Sequence, residues 1–352
     1  MPSSRGTLKR ALEAARHPLG EGRGGMLRLD FNENTAGCSP RVCRALARLT
    51  PEEIATYPDA VAAHKRIARF YRVSPDELLL SNGADEALRL VFDAAVKPGD
   101  TILIAEPTFE MYRFYARLAH ARVQAPRYDA EMKFPRSEYL RALRLKPKLA
   151  LLANPNNPTG TLLDEKALSR IIRAARGTTL VLDEAYFEFS GVTALGWIRR
   201  HTNLVVIRTF SKAMGMAGLR LGCVLANRKF ISRVREAKPP FSVNAAALHA
   251  AEAALGDRGT VRRYVAEVQN AKRMFEAALL RLGLPFYPSA GNFLLADLGP
   301  RAPKIVAGLE RRGILVRDRS KSFGRTGPVR ITIGTTAQMK RVIGALQDIL
   351  RS

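Results

Sequence analysis

Short apolar runs alternate with helical patterns through the first 230 residues. The apolar runs are strand-like and lie at 101–107, 148–155, 178–186, 203–210 and 222–227. Patterns with helical spacing lie between them, at 85–96, 110–121 and 164–177. Strands that are apolar on both faces and alternate with helices are typical of a mainly parallel sheet covered by helices on both faces. The pattern therefore predicts an α/β fold.

The pattern changes after about residue 244. Long helical patterns, three strand-like runs and a last helix follow, at 244–256, 258–283, 291–298, 313–318, 329–334 and 336–352. Helices and strands in this local order predict a second, smaller α+β domain. We therefore expect an N-terminal arm over 1–36 that joins the small domain, a large domain over 37–245 and a small domain over 246–352.

Composition restricts the class of protein. The chain has 352 residues, 47% of them hydrophobic, but no apolar run of about 18 residues, so we expect no membrane-spanning helix. The basic N-terminal segment has no apolar signal core, although it is poor enough in acidic residues to leave a transit peptide open. The three cysteines, Cys38, Cys43 and Cys223, lack CxxC spacing, and free thiols in a reducing compartment predict a cytoplasmic protein.

The net charge is +25, from 57 Lys and Arg against 32 Asp and Glu. Such a balance favours anionic ligands or nucleic acid. The positive charge is spread from end to end without a zinc-finger, RNP or KH signature, so nucleic-acid binding is not the expected role. The five histidines lie far apart, and we predict no metal site. The Gly-rich segment 20–26 precedes a strand-like run and is predicted to be an entry loop, not a dinucleotide-binding loop.

Polar residues collect where the predicted strands end, which is where open parallel sheets bind ligands. A turn at Asn82–Gly83 opens a helix at Ala84 and Asp85, and the free N–H groups of such a helix start favour a phosphate. An Asp N-cap is the alternative interpretation. In the loop 153–160, ANPNNPTG, Asn157 precedes a proline and can present its amide to a ligand, unless the loop is plain turn chemistry.

Two further strand ends carry ionisable groups. Asp183 ends an apolar strand, where a buried carboxylate needs a positive partner, and Tyr186 follows three residues later. Capping of the next turn is the alternative role for Asp183. The stretch RTFSKAMGMAGLRLG, 208–222, isolates the amine of Lys212 among small apolar residues, where it is either a reactive amine or a plain surface charge. The same stretch holds two hydroxyls and a guanidinium that suit a phosphate dianion, those of Thr209, Ser211 and Arg220.

Together these groups describe one ligand. It has a phosphate, a basic ring nitrogen that pairs with Asp183, a ring oxygen near Asn157 and Tyr186, and an aldehyde that reacts with Lys212. Phe109, which follows another predicted strand, can stack on the ring. Pyridoxal 5'-phosphate fits each requirement, because a lysine and an aspartate are its usual protein partners.

The chain resembles the fold-type I pyridoxal-phosphate aminotransferases and, among them, the histidinol-phosphate aminotransferases. NPNNPTG and SKAMGMAGLR carry the resemblance to the superfamily, and NEN, YPD and VRD with VRITIGT carry it to the narrower family. The resemblance implies an aspartate aminotransferase-like fold whose large domain binds the cofactor. It also implies a homodimer in which Tyr57 reaches the cofactor phosphate of the neighbouring subunit. The substrate-binding residues that it implies are Asn32, Arg317, Arg330 and, close by, Arg341.

The reaction that the resemblance implies is transamination. Histidinol phosphate and 2-oxoglutarate would give imidazole-acetol phosphate and glutamate, a step of histidine biosynthesis. Lys212 would move the α-proton, Asp183 would keep the pyridine nitrogen protonated, and Tyr186 would assist at the ring oxygen. Arg317 and Arg330 would serve both the phosphate and the carboxylates of the two substrates.

Three departures from the family's pattern leave the substrate open. Thr35 stands where the family usually has proline, Phe109 replaces a frequent Tyr, and residues 1–30 hold no Tyr. An aromatic or broad-range amino-acid aminotransferase would keep the same cofactor set. A decarboxylase acting on a phosphorylated amino acid would release carbon dioxide without 2-oxoglutarate. A nucleic-acid-binding protein on a decayed scaffold is the non-enzymatic alternative, and the intact lysine, aspartate and arginine set argues against it.

Overall fold

The structure is a computed structural model and describes residues 23–351, so the first 22 residues of the predicted arm, and the first part of the predicted entry loop, lie outside the described residues. The strands are β1 Leu27–Arg28, β2 Leu78–Ser81, β3 Thr101–Leu103, β4 Arg122–Gln124, β5 Leu149–Ala153, β6 Thr179–Asp183, β7 Leu204–Thr209, β8 Gly222–Ala226, β9 Phe286–Tyr287, β10 Phe293–Asp297, β11 Ile314–Leu315, β12 Arg317–Asp318 and β13 Pro328–Thr332.

The α-helices lie between these strands and after them. They are α1 Pro40–Leu46, α2 Pro51–Ala55, α3 Val61–Tyr71, α4 Gly83–Ala95, α5 Glu110–Leu118, α6 Arg136–Leu143, α7 Glu165–Ala174, α8 Phe187–Ser190, α9 Arg228–Glu236, α10 Ala245–Leu255, α11 Arg258–Arg281, α12 Ala302–Arg311, α13 Ser320–Phe323 and α14 Thr336–Arg351. Within residues 23–351, none of these helices is long and apolar enough to cross a membrane.

The largest sheet has the order β2-β8-β7-β6-β5-β3-β4. Its strands are parallel except for β8, which runs antiparallel to both neighbours. Alternate residues of each central strand enter two different cores, because side chains alternate across a sheet: Leu180 and Leu182 pack in one core and Val181 in the other. Helices cover both faces, so the predicted α/β sheet is confirmed.

Helix α7 illustrates why the predicted helices form. Asp164 caps it by accepting from the N–H of Ala167 at 2.7 Å, and Gly177 follows its end with a φ of +84°. Its buried residues Ala167, Leu168, Ile171 and Ile172 follow the helical spacing seen in the sequence. One apolar face thus packs against the large sheet while the charged face meets solvent.

A smaller antiparallel sheet has the order β12-β13-β10-β9 and packs with α11, α12 and α14 around a third core. The predicted single strand over 313–318 is divided, since β11 pairs in parallel with β1 while β12 pairs with β13. The segment after β1 also follows the small sheet, because the N–H of Thr332 donates to the carbonyl of Leu29 at 2.9 Å. The domain boundaries themselves stay a prediction.

Candidate active site

Asp183 lies at the carboxyl end of β6, in the middle of the large sheet, and its side chain is buried. Its Oδ2 accepts from the hydroxyl of Tyr112 at 2.8 Å, and its Oδ1 accepts from the N–H of Ala185 at 3.1 Å. Burial raises the pKa of Asp183 to about 6, and these two hydrogen bonds oppose the rise. A cationic partner would favour the carboxylate form further.

Lys212 follows the end of the neighbouring strand β7. Its Nζ donates to the carbonyl oxygen of Phe31 at 2.9 Å and lies 5.9 Å from the centre of the Tyr186 ring. Burial, followed by the positive charge of Arg330, lowers the pKa of Lys212 to about 8. About one-tenth of this amine is therefore neutral at pH 7, a far larger fraction than for an exposed lysine, and the neutral form is the one that acts as a nucleophile or a proton acceptor.

The start of helix α4 forms a cradle for an anion. The side chain of Asn82 makes no capping hydrogen bond to the first turn, and Gly83 has a φ of +80°. A Cβ at Gly83 would lie 2.5 Å from Nη2 of Arg220, so the guanidinium packs directly over this glycine. Arg220 also pairs with Asp85 at 3.0 Å. Cationic, N–H and hydroxyl donors thus converge here, from Ala84, Asp85, Thr209, Ser211 and Arg220.

Asn32 connects the N-terminal segment to the site. It is fully buried and has a φ of +54°, a conformation that non-glycine residues rarely adopt. Its Nδ2 donates to the hydroxyl of Tyr186 at 2.9 Å, and its N–H donates to Oγ1 of Thr332 at 2.9 Å. Burial raises the pKa of Tyr186, so this hydroxyl stays protonated at neutral pH. Asn32 therefore fixes Tyr186 against the small sheet.

Two predicted arginines face each other on the small sheet, where Arg317 of β12 is paired in register with Arg330 of β13. Nη1 of Arg330 donates to Oδ1 of Asn157 at 2.6 Å, and its Nη2 donates to the carbonyl of Asp30. Burial lowers the pKa of Arg330 to about 10. The buried Nε atoms of both arginines have no hydrogen-bond partner within the described residues. Such orphaned donors suit an anionic ligand.

Two residues of this site, Tyr112 and Arg319, were missed in the sequence. Tyr112 lies one helical turn after Phe109, and the two aromatic rings meet edge to face with a centroid distance of 5.7 Å. The hydroxyl of Tyr112 donates to Asp183. Arg319 is buried and pairs with Glu110 at 3.0 Å. The signals were present, since Tyr112 follows Phe109 at helical spacing and Arg319 follows Arg317 by two positions. Neither spacing says which tyrosine or arginine is buried.

The structure does not bring every predicted residue to this place. Arg341 is exposed on α14, where its Nη2 donates to the carbonyl of Arg312 at 2.7 Å. This contact does not support its predicted substrate-binding role, which stays a prediction. Tyr57 is 78% exposed and stacks on Phe241 with a centroid distance of 4.3 Å. Its predicted role in a neighbouring subunit stays a prediction.

Comparison with known proteins gives the family. The model of the family Aminotransferase class I and II matches residues 25–346, and the chain belongs to this family of enzymes. A histidinol-phosphate aminotransferase of Symbiobacterium thermophilum is 38% identical over 331 residues, which make up 92% of this chain and 91% of the relative. Within the family, the chain therefore groups with the histidinol-phosphate aminotransferases.

Two solved structures share the fold. The histidinol-phosphate aminotransferase from Sinorhizobium meliloti in complex with pyridoxal-5'-phosphate is 25% identical with a TM-score of 0.84, covering 92% of this chain and 91% of that one. The L-threonine-O-3-phosphate decarboxylase from Porphyromonas gingivalis is 29% identical with a TM-score of 0.82, covering 93% and 100%. The predicted fold class is confirmed, and the family implies pyridoxal phosphate as the cofactor.

Proposed function

We propose that this chain transfers the amino group of histidinol phosphate to 2-oxoglutarate with pyridoxal 5'-phosphate, giving imidazole-acetol phosphate and glutamate in histidine biosynthesis. One observation carries the proposal: the amine of Lys212, with its lowered pKa, lies within electrostatic range of the buried guanidinium of Arg330. The first group suits amino-group chemistry and the second suits an anionic substrate. The 38% identity to a histidinol-phosphate aminotransferase supports the same substrate.

The donor set fits pyridoxal phosphate. The cradle at Gly83 and Arg220 would hold its phosphate with Ser211 and Thr209, and Phe109 would lie against its ring. The carboxylate of Asp183 would pair with the pyridine nitrogen. Asn157 and Tyr186 would contact the ring oxygen, although Oδ1 of Asn157 already accepts from Arg330 and only its amide group is available to donate.

When bound, the cofactor supplies an electron sink for the bond that breaks at the substrate's α-carbon. Lys212 would take the α-proton on Nζ, and burial favours this step because it lowers the pKa of the amine to about 8 and so enlarges the neutral fraction. Asp183 would hold a proton on the pyridine nitrogen, since a carboxylate in a buried site strongly favours a cationic neighbour. Tyr186, fixed by Asn32, would donate its hydroxyl hydrogen bond in a constant direction.

Arg317 and Arg330 would hold the phosphate of histidinol phosphate and then the carboxylates of 2-oxoglutarate. Each charge-assisted hydrogen bond contributes about 1.5–3 kcal/mol. Removal of one guanidinium should therefore cost about ten- to a hundredfold in kcat/KM. Histidinol should be a poor substrate, because it leaves both groups unpaired.

The test is a substrate panel with wild type, Arg317→Ala, Arg330→Ala and the exposed control Arg341→Ala. Histidinol phosphate, histidinol, phenylalanine and aspartate are each assayed with 2-oxoglutarate for glutamate formation, and carbon dioxide released from L-threonine O-3-phosphate is measured in parallel. We expect histidinol phosphate to be preferred, with losses in the first two variants and none in Arg341→Ala. A wild type that prefers phenylalanine would make the chain an aromatic aminotransferase. Release of carbon dioxide from a phosphorylated amino acid would favour the decarboxylase alternative that the 29% identity to the Porphyromonas enzyme keeps open.

We also propose a homodimer in the cytoplasm. An exposed apolar patch supports the assembly, because Tyr57, Phe241, Ile54 and Val61 are each more than half exposed. Burial of such side chains between two copies would be favourable. Sedimentation of the loaded protein tests this point, and a fully active monomer would contradict it. The free thiols are compatible with a reducing compartment.

A further inference from the structure

Glu110 is the point at which a segment after β12 meets helix α5 beside the candidate site. Its Oε1 accepts from Nη2 of Arg319 at 3.0 Å and from Oγ of Ser322 at 2.9 Å. The side chain of Arg319 is only 5% exposed, whereas that of Glu110 is 39% exposed. The two donors belong to the segment that connects β12 to β13, and the acceptor belongs to the segment that follows β3. The ion pair therefore joins the large sheet's side of the site to the small sheet.

Both residues of this ion pair lie close in the chain to residues of the candidate site. Glu110 opens α5, directly after Phe109 and two residues before Tyr112, which donates to Asp183. Arg319 follows Arg317 by two residues, and its N–H donates to the carbonyl of Pro328 at 2.8 Å, at the start of the strand that carries Arg330. A change at Arg319 or Glu110 would thus be transmitted to both the ring-binding and the anion-binding parts.

The surrounding charges favour this contact. Partial burial alone would raise the pKa of Glu110, but Arg319, Ser322 and Arg317 outweigh that effect and hold its pKa below the ordinary value. Burial lowers the pKa of Arg319, and the nearby charge of Arg317 adds to the effect while Glu110 opposes it. Glu110 is therefore an anion that offsets repulsion among Arg317, Arg319 and Arg330.

We propose that the Arg319–Glu110 ion pair is a positioning device that fixes the anion-binding arginines relative to the ring-binding helix α5. The inference rests on the proposed function, because it concerns the same site and its anionic substrate. Arg319 acts through Glu110. Its buried Nε has no hydrogen-bond partner within the described residues, so direct contact with the substrate is the alternative that the experiment must separate. A substrate that must reach from the cofactor ring to Arg317 and Arg330 depends on this distance, whereas a shorter one without a phosphate does not.

The experiment is a double-mutant cycle in the cofactor-loaded enzyme, with Glu110→Gln, Arg319→Gln and the double variant. Arg319→Lys serves as the conservative variant. Arg325→Gln is the matched control, because Arg325 pairs with Asp297 at 2.6 Å within the small sheet's own segment and does not reach α5. Steady-state kcat and KM are measured with histidinol phosphate and with histidinol, and circular dichroism and cofactor absorbance verify folding and loading.

We expect Glu110→Gln and Arg319→Gln each to raise the KM for histidinol phosphate about tenfold, with a smaller change in kcat and little change for histidinol. The double variant should be no worse than either single variant, Arg319→Lys should recover part of the loss, and Arg325→Gln should behave as wild type. A direct substrate contact by Arg319 predicts the opposite for Glu110→Gln, since removal of its partner would free the guanidinium and lower the KM.

An unchanged or lowered KM in Glu110→Gln, or losses in the double variant that multiply, would overturn the inference. Failure of the proposed function is a separate result, because it appears in the wild type as absent turnover of histidinol phosphate. In that case the cycle is measured with the anionic amino donor that the wild type turns over fastest. Coupling between Glu110 and Arg319 in its KM is then expected, and its absence would equally refute the positioning role.

Discussion

Replacement of Tyr112 by Phe should shift the ionisation of Asp183 and, with it, the pH range in which the protein binds its cofactor. The Tyr112 hydroxyl donates to Oδ2 of Asp183 at 2.8 Å, and both side chains are buried. Burial raises the pKa of Asp183 to about 6, and this hydrogen bond opposes the rise. A hydrogen bond to a charged group is worth about 1.5–3 kcal/mol. Since about 1.4 kcal/mol corresponds to one pKa unit, the pKa of Asp183 should rise by roughly 1–2 units in Tyr112→Phe.

The consequence is a loss of cofactor affinity that is confined to neutral and acidic pH. A carboxylate with a pKa near 6 is about nine-tenths ionised at pH 7, whereas one with a pKa of 7–8 is roughly one-half to one-tenth ionised. Because only the carboxylate pairs with a pyridinium, the apparent affinity at pH 7 should fall about two- to tenfold. At pH 9 both proteins should bind equally well.

The assay is a titration with pyridoxamine 5'-phosphate between pH 6 and 9, followed by fluorescence quenching. This amine form of the cofactor does not react with Lys212, so the lysine's own ionisation contributes little to the profile. Tyr139→Phe is the matched control, because Tyr139 is equally buried but donates to the carbonyl of Leu151 at 3.3 Å. Identical pH profiles for Tyr112→Phe, Tyr139→Phe and wild type would refute the reasoning.

Two further predictions concern the groups at the centre of the site. Lys212 should react with pyridoxal phosphate at a rate that rises with pH through a midpoint near 8, because the neutral amine reacts and burial lowers its pKa to about 8. Stopped-flow absorbance measures this rate, and Lys212→Ala should show no reaction. A midpoint above pH 10 would contradict the prediction. Asp183→Asn should stabilise the cofactor-free protein relative to wild type above pH 6. The pKa of Asp183 is raised from 3.8 to about 6 on folding, so the wild type loses stability as pH rises through that range, by about 3 kcal/mol in total. Urea unfolding of both proteins at pH 4.5 and 8 measures the difference, and an equal gap at the two values would count against it.

The strand ends could be read from the sequence because parallel strands place their carboxyl ends on one edge. Asp183 and Lys212 each follow a continuous apolar run, so the topology alone predicted that they meet. The cradle at Gly83 was predictable for the same reason, as a glycine turn between a strand and a helix. These inferences needed only the order of elements and the chemistry of the residues that follow them.

The anion-binding part was less predictable because arginines are abundant in this chain. Arg341 and Arg319 lie near matching strings, but only a packed structure tells which one is enclosed: Arg341 meets solvent, whereas Arg319 is buried against Glu110. The division of the predicted strand over 313–318 between two sheets was unpredictable for a similar reason, because it also depends on long-range packing. Residues 314–315 and 317–318 pair with different strands, and pairing partners are long-range information.

Burial displaces the ionisation of this site in a consistent direction. Burial raises the pKa of Asp183 to about 6, lowers that of Lys212 to about 8 and lowers that of Arg330 to about 10. Each of these shifts disfavours the charged form of the side chain. The fold thus holds three charged groups at a cost that their own neighbours only partly offset. A pyridinium beside Asp183, an aldehyde at Lys212 and a phosphate at Arg330 would each remove one part of that cost. Ligand binding and folding stability are therefore linked here, and the same burial that makes the residues reactive makes the folded chain favour the cofactor and an anionic substrate.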